Sequence, residues 1–200
     1  MNHAFFRPGG LANQVGHKEI EKVKETVRWL HKHLPEYKDL CNANPIFLGR
    51  MTGVGYLDAS ACMALGITGP MLRSTGIDYD LRKAMPIWDY ETYDFDVPVN
   101  DMRDAMGKFL LRQQEMWESL KIVEQCVERL EKMENDPVMI ADQKIALPAQ
   151  LAVGSDGMGN SNEHIKHIMG ESMEALIHHF KLVTEGFRVP AGQAYVPIES

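Results

Sequence analysis

With 200 residues and a formal net charge of −7, the chain is long enough for a single domain with a real core. Its acidic balance excludes nonspecific nucleic-acid binding, which needs a basic face to displace counterions from phosphate. No apolar run approaches the roughly 20 residues of a membrane-spanning helix, so a membrane would be reached through a partner.

Met1 is followed by Asn-His-Ala-Phe-Phe, with no basic region leading into a long apolar core, so no secretory signal is expected. Ile20, Val23, Val27, Leu30 and Leu34 recur at steps of three and four residues. That spacing predicts a helix from His17 to Leu40 with one narrow apolar stripe. Asn42-Ala43-Asn44-Pro45 then stops it, because proline restricts its predecessor and cannot continue a helix. The glycines between Gly49 and Gly55 read as a turn or short strand. Asp58 is placed to cap a short helix that ends at Leu65, with Gly66 as its left-handed stop.

From Gly69 to Val99 no helical period holds, and Tyr, Trp, Phe and Pro are mixed with acids. A loop this long inside a domain points to a functional shape. Asp101 is expected to cap the longest helix, running to Met133 and spanning roughly 45 Å at 1.5 Å per residue. Its apolar stripe is Met102, Ala105, Phe109, Met116, Leu120, Val123, Val127 and Leu130, so it should pack against other long helices. Asn135-Asp136-Pro137 ends it. Val138–Ile145 reads as a strand or hairpin, Gly154–Asn162 as a turn-rich loop, and Ser161–Val183 as a final helix. The fold class is α+β, mainly helical, with long helices, short strands and one long irregular loop, organised as a single domain over residues 1–200.

The chemistry-bearing residues admit bland readings beside sharper ones. His164, His167, Glu171, Glu174 and His178 lie along the final helix, and Glu174 and His178 share a face, as a metal site wants. A di-iron bundle needs Glu-x-x-His on two helices. Neither that pattern nor HExxH occurs here, so polar surface or interface histidines are the favoured reading. His178 and His179 are adjacent and point about 100° apart, too far for one small site. Cys41, Cys62 and Cys126 form no CxxC pair, which suggests reduced, buried thiols and no metal site. Arg73, Asp78, Asp80, Arg82 and Lys83 make a dense cluster of alternating sign, read from pattern alone as solvated loop charges. Gly9 and Gly10 permit a tight turn after Arg7. Tyr56, Tyr79, Tyr90, Tyr93 and Tyr195 could each donate a hydrogen bond, and spacing selects none of them. There is no GxGxxG, phosphate loop or GxSxG.

Four motifs in order change the weights: RPGG at Arg7–Gly10, LRSTGIDYDLRK at Leu72–Lys83, YDFDVPV at Tyr93–Val99 and SMEALIHHFKLVTEGFRVPAGQAY at Ser172–Tyr195. Through them the chain resembles the forty-nine-kilodalton (D-subunit) family of proton-translocating NADH-quinone oxidoreductase, respiratory complex I, from Asn2 to Ser200. The resemblance implies a fold similar to the large subunit of nickel–iron hydrogenases. It also implies membership of the quinone-reducing module, in which this segment shapes the quinone cavity with the subunit that carries the terminal iron–sulfur cluster and docks neighbouring subunits. NADH, flavin and the iron–sulfur clusters would sit on partner subunits, and the location would be peripheral, on the cytoplasmic side of a bacterial cell membrane.

The family's quinone-head ligands, a His, a Tyr and an Asp, are expected before Met1, and its Pro-basic-Gly-Glu motif beyond Ser200. No catalytic residue is therefore carried over, and no metal ligand. Many relatives have a protonatable His near the terminal cluster where this chain has Asn2, so His3 becomes the candidate, since cluster reduction raises a nearby imidazole's basicity. Arg7, Gly9, Gly10, Arg73, Asp80, Arg82, Asp96, His178 and His179 are the candidate cavity-supporting residues, and the resemblance turns the loop charges into an expected buried ion-pair network. Arg103 and Met106 stand where relatives often carry Cys and Tyr. The alternatives are a truncated or split paralogue acting only in assembly, and an independent metal-dependent helical enzyme.

Overall fold

The computed structural model describes residues 5–7, 10–11, 15–133, 136–138 and 189–198, with the isolated positions 167, 170, 173, 176, 177 and 181. The chain divides into two compact units, Met1–Glu19 with Met133–Gln193 and Ile20–Lys132 with Ala194–Ser200. The described residues are mainly helical, and no helix among them is long and apolar enough to cross a membrane.

In the first unit, strands β1 (Phe6–Arg7) and β2 (Gly10–Leu11) pair antiparallel, Phe6 opposite Leu11 and Arg7 opposite Gly10. The Leu11 amide donates to the Val138 carbonyl at 3.0 Å. The predicted strand beyond Val138, the loop 154–162 and most of the predicted final helix lie outside the described residues.

Helix α1 spans His17–Asn42. Its start is a half capping box: the Glu19 carboxylate accepts from the Gly16 amide at 3.2 Å. Ile20, Val27 and Leu34 are buried as the stripe predicts, whereas Val23 is 39% exposed. Pro35 lies on the exposed side, and the helix runs on past it.

Helix α2 (Pro45–Met51) corrects the expected turn or strand at Gly49–Gly55. Asn44 Oδ1 accepts from the amides of Ile46 (3.0 Å) and Phe47 (3.3 Å), and Pro45 occupies the first helical position, where its missing N–H costs nothing. The residues that end α1 thus start α2, and the turn begins only at Thr52. Helix α3 (Ala59–Leu65) has the predicted ends: Asp58 Oδ1 accepts from the Ala61 amide at 2.7 Å, and Gly66 stops it at φ 64°.

Gly69–Val99 is irregular as expected, broken by the one-turn helices α4 (Pro70–Arg73) and α5 (Leu81–Ala84) and a 3₁₀ turn at Tyr90–Thr92. Helix α6 (Ala105–Lys132) has 28 residues, a rod of about 42 Å. Its cap is Asp104, not Asp101. Asp104 Oδ1 accepts from the Gly107 amide at 2.7 Å and Oδ2 from the Gly53 amide at 2.8 Å. Asp101 instead meets Arg103, whose φ of 63° bends the chain just before the helix. Two backbone hydrogen bonds hold the Asp104 carboxyl below its ordinary pKa. Asp104→Ala removes a buried cap and the tie to Gly53 together. A loss of about 1–2 kcal/mol in a denaturant titration is expected, and an unchanged midpoint would refute the capping role.

α1 and α6 run antiparallel. Asn42 meets Gln113 (3.3 Å), His31 meets Glu124 (2.8 Å) and Lys24 pairs with Glu131, so the partner number rises as the α1 number falls. Val27, Leu34 and Leu120 are buried between them, flanked by Leu30 and Trp117. Each such aliphatic side chain contributes roughly 1.5–3 kcal/mol. α2 and α4 also pack on α6, and Met106, Leu111 and Ile122 are buried although they lie off the predicted stripe. Met116 and Leu130, on that stripe, are 44% and 40% exposed. Of the cysteines, Cys62 alone is fully buried; Cys41 and Cys126 are half-buried, and all three are free thiols.

Candidate functional site

The irregular loop is tied to α6 by charge. Helix α4 turns Arg73 inward, with buried Ser74 and Thr75 closing its end by donating to the Met71 (2.8 Å) and Leu72 (2.7 Å) carbonyls. The Arg73 guanidinium donates to Glu115 Oε1 through Nη2 (2.7 Å) and Nε (3.2 Å) and to the Tyr79 carbonyl through Nη1 (3.1 Å). Asp80 Oδ2 lies 3.8 Å from the same Nη1.

Asp80 also caps α5, accepting from the Arg82 amide at 2.9 Å, and receives Arg82 Nε (3.0 Å) and Nη2 (2.6 Å) side by side. Arg82 in turn lies over the buried Phe95 ring, 4.8 Å from its centroid, and the Lys83 ammonium 4.9 Å from it. The side chains of Arg73 and Asp80 are 5% and 3% exposed, far from the solvated loop charges that pattern alone suggests. Burial would raise the Asp80 pKa, but the hydrogen bonds and charge of Arg82 outweigh it and hold the carboxyl below its ordinary value. Asp80 correspondingly raises Arg82.

This network forms the base of a cleft of about 610 Å³, walled by Pro70, Leu81, Met85, Ile87 and Tyr90 and rimmed by Trp88 and Val196–Ile198. Trp88 (φ 53°) and Asp89 (φ 61°) are consecutive left-handed residues, a geometry that costs about 1–2 kcal/mol each outside glycine. The turn is held by Tyr90 N to Ile87 O (3.2 Å), Thr92 N to Asp89 O (2.9 Å) and Thr92 Oγ1 to Asp89 O (2.7 Å).

The structure therefore brings Arg73, Asp80 and Arg82 together and adds Glu115, which sequence reasoning missed. Its only sequence signal was an acid on the longest helix, and α6 offers several. Asp78 and Lys83 are exposed. Asp96 stands apart: its side chain is 86% exposed, 3.9 Å from Lys121, and its amide donates to Glu118 at 2.9 Å. Arg7 and Gly10 pair in the β1–β2 ribbon. His3, Gly9, His178 and His179 lie outside the described residues. Among the described residues no group of three or more His, Cys, Asp or Glu is arranged to hold a metal.

At the base of the cleft Arg73, Asp80, Arg82 and Glu115 are paired with one another. What the arrangement does is hold a fixed wall.

Over residues 1–200 the sequence matches the family described as respiratory-chain NADH dehydrogenase, 49 Kd subunit. The chain belongs to this family. It is 62% identical over 200 residues to the NADH-quinone oxidoreductase D-subunit of Nocardioides sp. (strain ATCC BAA-499 / JS614), a match that covers 100% of this chain and 45% of that protein. It is 60% identical to the second NADH-quinone oxidoreductase D-subunit of Streptomyces coelicolor and 58% identical to that of Mycolicibacterium vanbaalenii, each match covering 100% of this chain and 45% of the relative. The chain thus spans about half the length of the curated relatives it matches.

Proposed function

We propose that this chain works as part of the quinone-reducing module of proton-translocating NADH-quinone oxidoreductase. The observation that carries this reading is the unbroken family match over residues 1–200, with relatives named as the D-subunit of NADH-quinone oxidoreductase. In this reading the chain shapes one side of a quinone cavity shared with the subunit that bears the terminal iron–sulfur cluster. NADH, flavin and the clusters are held by partner subunits. The architecture is hydrogenase-large-subunit-like, and the chain sits peripherally on the cytoplasmic side of the bacterial cell membrane, reached through its partners.

Arg73, Asp80 and Arg82 act as cavity support by locking the loop to α6 through Glu115. Arg7, Gly9, Gly10, Asp96, His178 and His179 are proposed to support the same body from other positions. His3 is the proposed proton-linked group near the terminal cluster.

The test is co-purification. A tag on this chain in its own host, followed by mild detergent extraction, is expected to bring down the iron–sulfur subunits in one large species with NADH:quinone activity. A tagged chain that migrates free, while the assembled enzyme lacks it, would overturn the proposal.

A further inference from the structure

Residues 92–96 are fastened to α6 by side chains. Asp94, Phe95 and Asp96 belong to no helix or strand, and among the described residues they make no backbone–backbone hydrogen bond. Gln125 instead closes a two-way pair with Asp94, accepting from its amide through Oε1 (2.9 Å) and donating to its carbonyl through Nε2 (2.7 Å). Glu118 Oε2 accepts from the Asp96 amide at 2.9 Å. Arg129 donates to the Thr92 carbonyl (2.8 Å) and to Thr92 Oγ1 (2.7 Å). Glu118, Gln125 and Arg129 share one face of α6, and that face meets the main chain at alternate residues, 96, 94 and 92, running antiparallel to the helix. The residues between turn elsewhere. Phe95 is buried, with Arg82 4.8 Å and Lys83 4.9 Å from its ring centroid, and the Tyr93 ring lies 3.9 Å from the Arg129 guanidinium.

This attachment differs in kind from a strand in a sheet, whose partners are themselves fixed main chain. Gln, Glu and Arg must each freeze several rotors to hold such a bond, and each can turn away without unwinding α6. A segment held this way opens at lower free energy than the helix beneath it. The first part of the same loop is held otherwise, by the buried Arg73–Asp80–Glu115 contacts and by backbone bonds such as Asn100 N to Arg73 O (3.2 Å).

We propose that residues 92–96 form a strap that opens from α6 as one unit while the helix stays wound, with Gln125 as its latch. Phe95 is the ring on which Arg82 and Lys83 rest, so opening uncovers that side of the Asp80 network, and the strap is the network's movable cover. The inference stands independently of complex membership.

The test is amide hydrogen exchange, which reports slow local opening, read residue by residue by mass spectrometry on the protein isolated from its own host in the assembly it holds there. In wild type the Asp94 and Asp96 amides are expected to show matching protection, about tenfold or more below that of the α6 amides from Glu118 to Arg129. Gln125→Leu removes both bonds to Asp94 and leaves the Glu118 acceptor in place. It should lower protection of Asp94 and Asp96 together by about tenfold, while α6 changes less than about twofold. The Arg82 amide, held by Asp80, should lose protection in step. Gln125→Glu keeps the acceptor but sets a charge against the Asp94 carbonyl, so it should fall between wild type and Gln125→Leu. Wild-type strap amides as protected as α6, a response of Asp94 without Asp96, or a helix that loosens with the strap would each overturn the proposal. An Arg82 amide that does not respond overturns the role as cover. If neither variant accumulates, the order of protection in wild type decides by itself.

Discussion

Arg73→Ala is expected to destabilise the fold by about 3–5 kcal/mol, because truncating one member of a buried ion pair leaves its partner charged and desolvated. Glu115, 17% exposed, has Arg73 as its ion-pair partner, with contacts at 2.7 and 3.2 Å. Asp80 keeps Arg82 but loses the guanidinium 3.8 Å away, and the Tyr79 carbonyl loses its donor. Lysine carries the same charge but not the fork that reaches Glu115 twice and Tyr79 at once, so Arg73→Lys should fall between wild type and Arg73→Ala. The telling comparison is Arg73→Met with Glu115→Leu. Removing both charges strands neither, so the double variant should be more stable than Arg73→Ala despite the extra change. Denaturant midpoints of the three proteins decide the matter. A shift below about 1 kcal/mol for Arg73→Ala would place this pair among those worth no more than exposed ones.

The same network contributes to the acid limb, beside Asp58, Asp104 and Glu118, whose carboxyls are also held below their ordinary pKa. The folded Asp80 pKa lies below its ordinary value, so its stabilising contribution is fully present above the unfolded pKa and is lost as pH falls through the lower folded one. Stability should drop below about pH 4. Arg82→Ala, which removes the side-chain hydrogen bonds and charge of Arg82 but leaves its backbone bond and Arg73, should flatten part of that drop. An unaltered acid limb in the variant would show that other carboxylates govern it.

Gly107→Ala is expected to cost about 1–3 kcal/mol, reversing the usual sign. Alanine normally gains up to about 1 kcal/mol over glycine inside a helix. Here the new Cβ would stand 2.5 Å from Met102 Cβ, 3.0 Å from Asn100 Oδ1 and 3.4 Å from Asp104 Oδ1. Met102 Cβ is fixed to the backbone, so the segment leading into α6 must move. That motion strains the Asn100 side-chain bond to the Gly107 carbonyl (2.7 Å) and the Asp104 cap (2.7 Å). Gly49 supplies the control: it lies inside α2, and a Cβ there meets nothing within 4 Å, so Gly49→Ala should be neutral or stabilising. Thermal unfolding of the two variants side by side checks the argument, and equal shifts would sink it.

Helix ends and stripes were legible in the sequence where their causes are local. Asp58 and Gly66 bound α3 because a cap bonds an amide three residues on and a left-handed stop needs no partner elsewhere. Ile20, Val27 and Leu34 mark the buried side of α1 because helical geometry repeats within four residues. The family, too, was legible, in motifs running from Arg7 to Tyr195.

Longer-range choices were settled by packing. Asp101 and Asp104 are equal as caps on paper; Asp104 takes the role because the Gly53 amide, 51 residues away, shares its carboxylate. Arg73 faces several acids within reach of a flexible chain, and Glu115 is selected 42 residues on because α4 packs against that part of α6. Burial then turns a loop charge into a member of a desolvated network. Hydrogen-bonding type and periodicity act within a turn of the chain, whereas the partner of a charge depends on which distant surface excludes water around it.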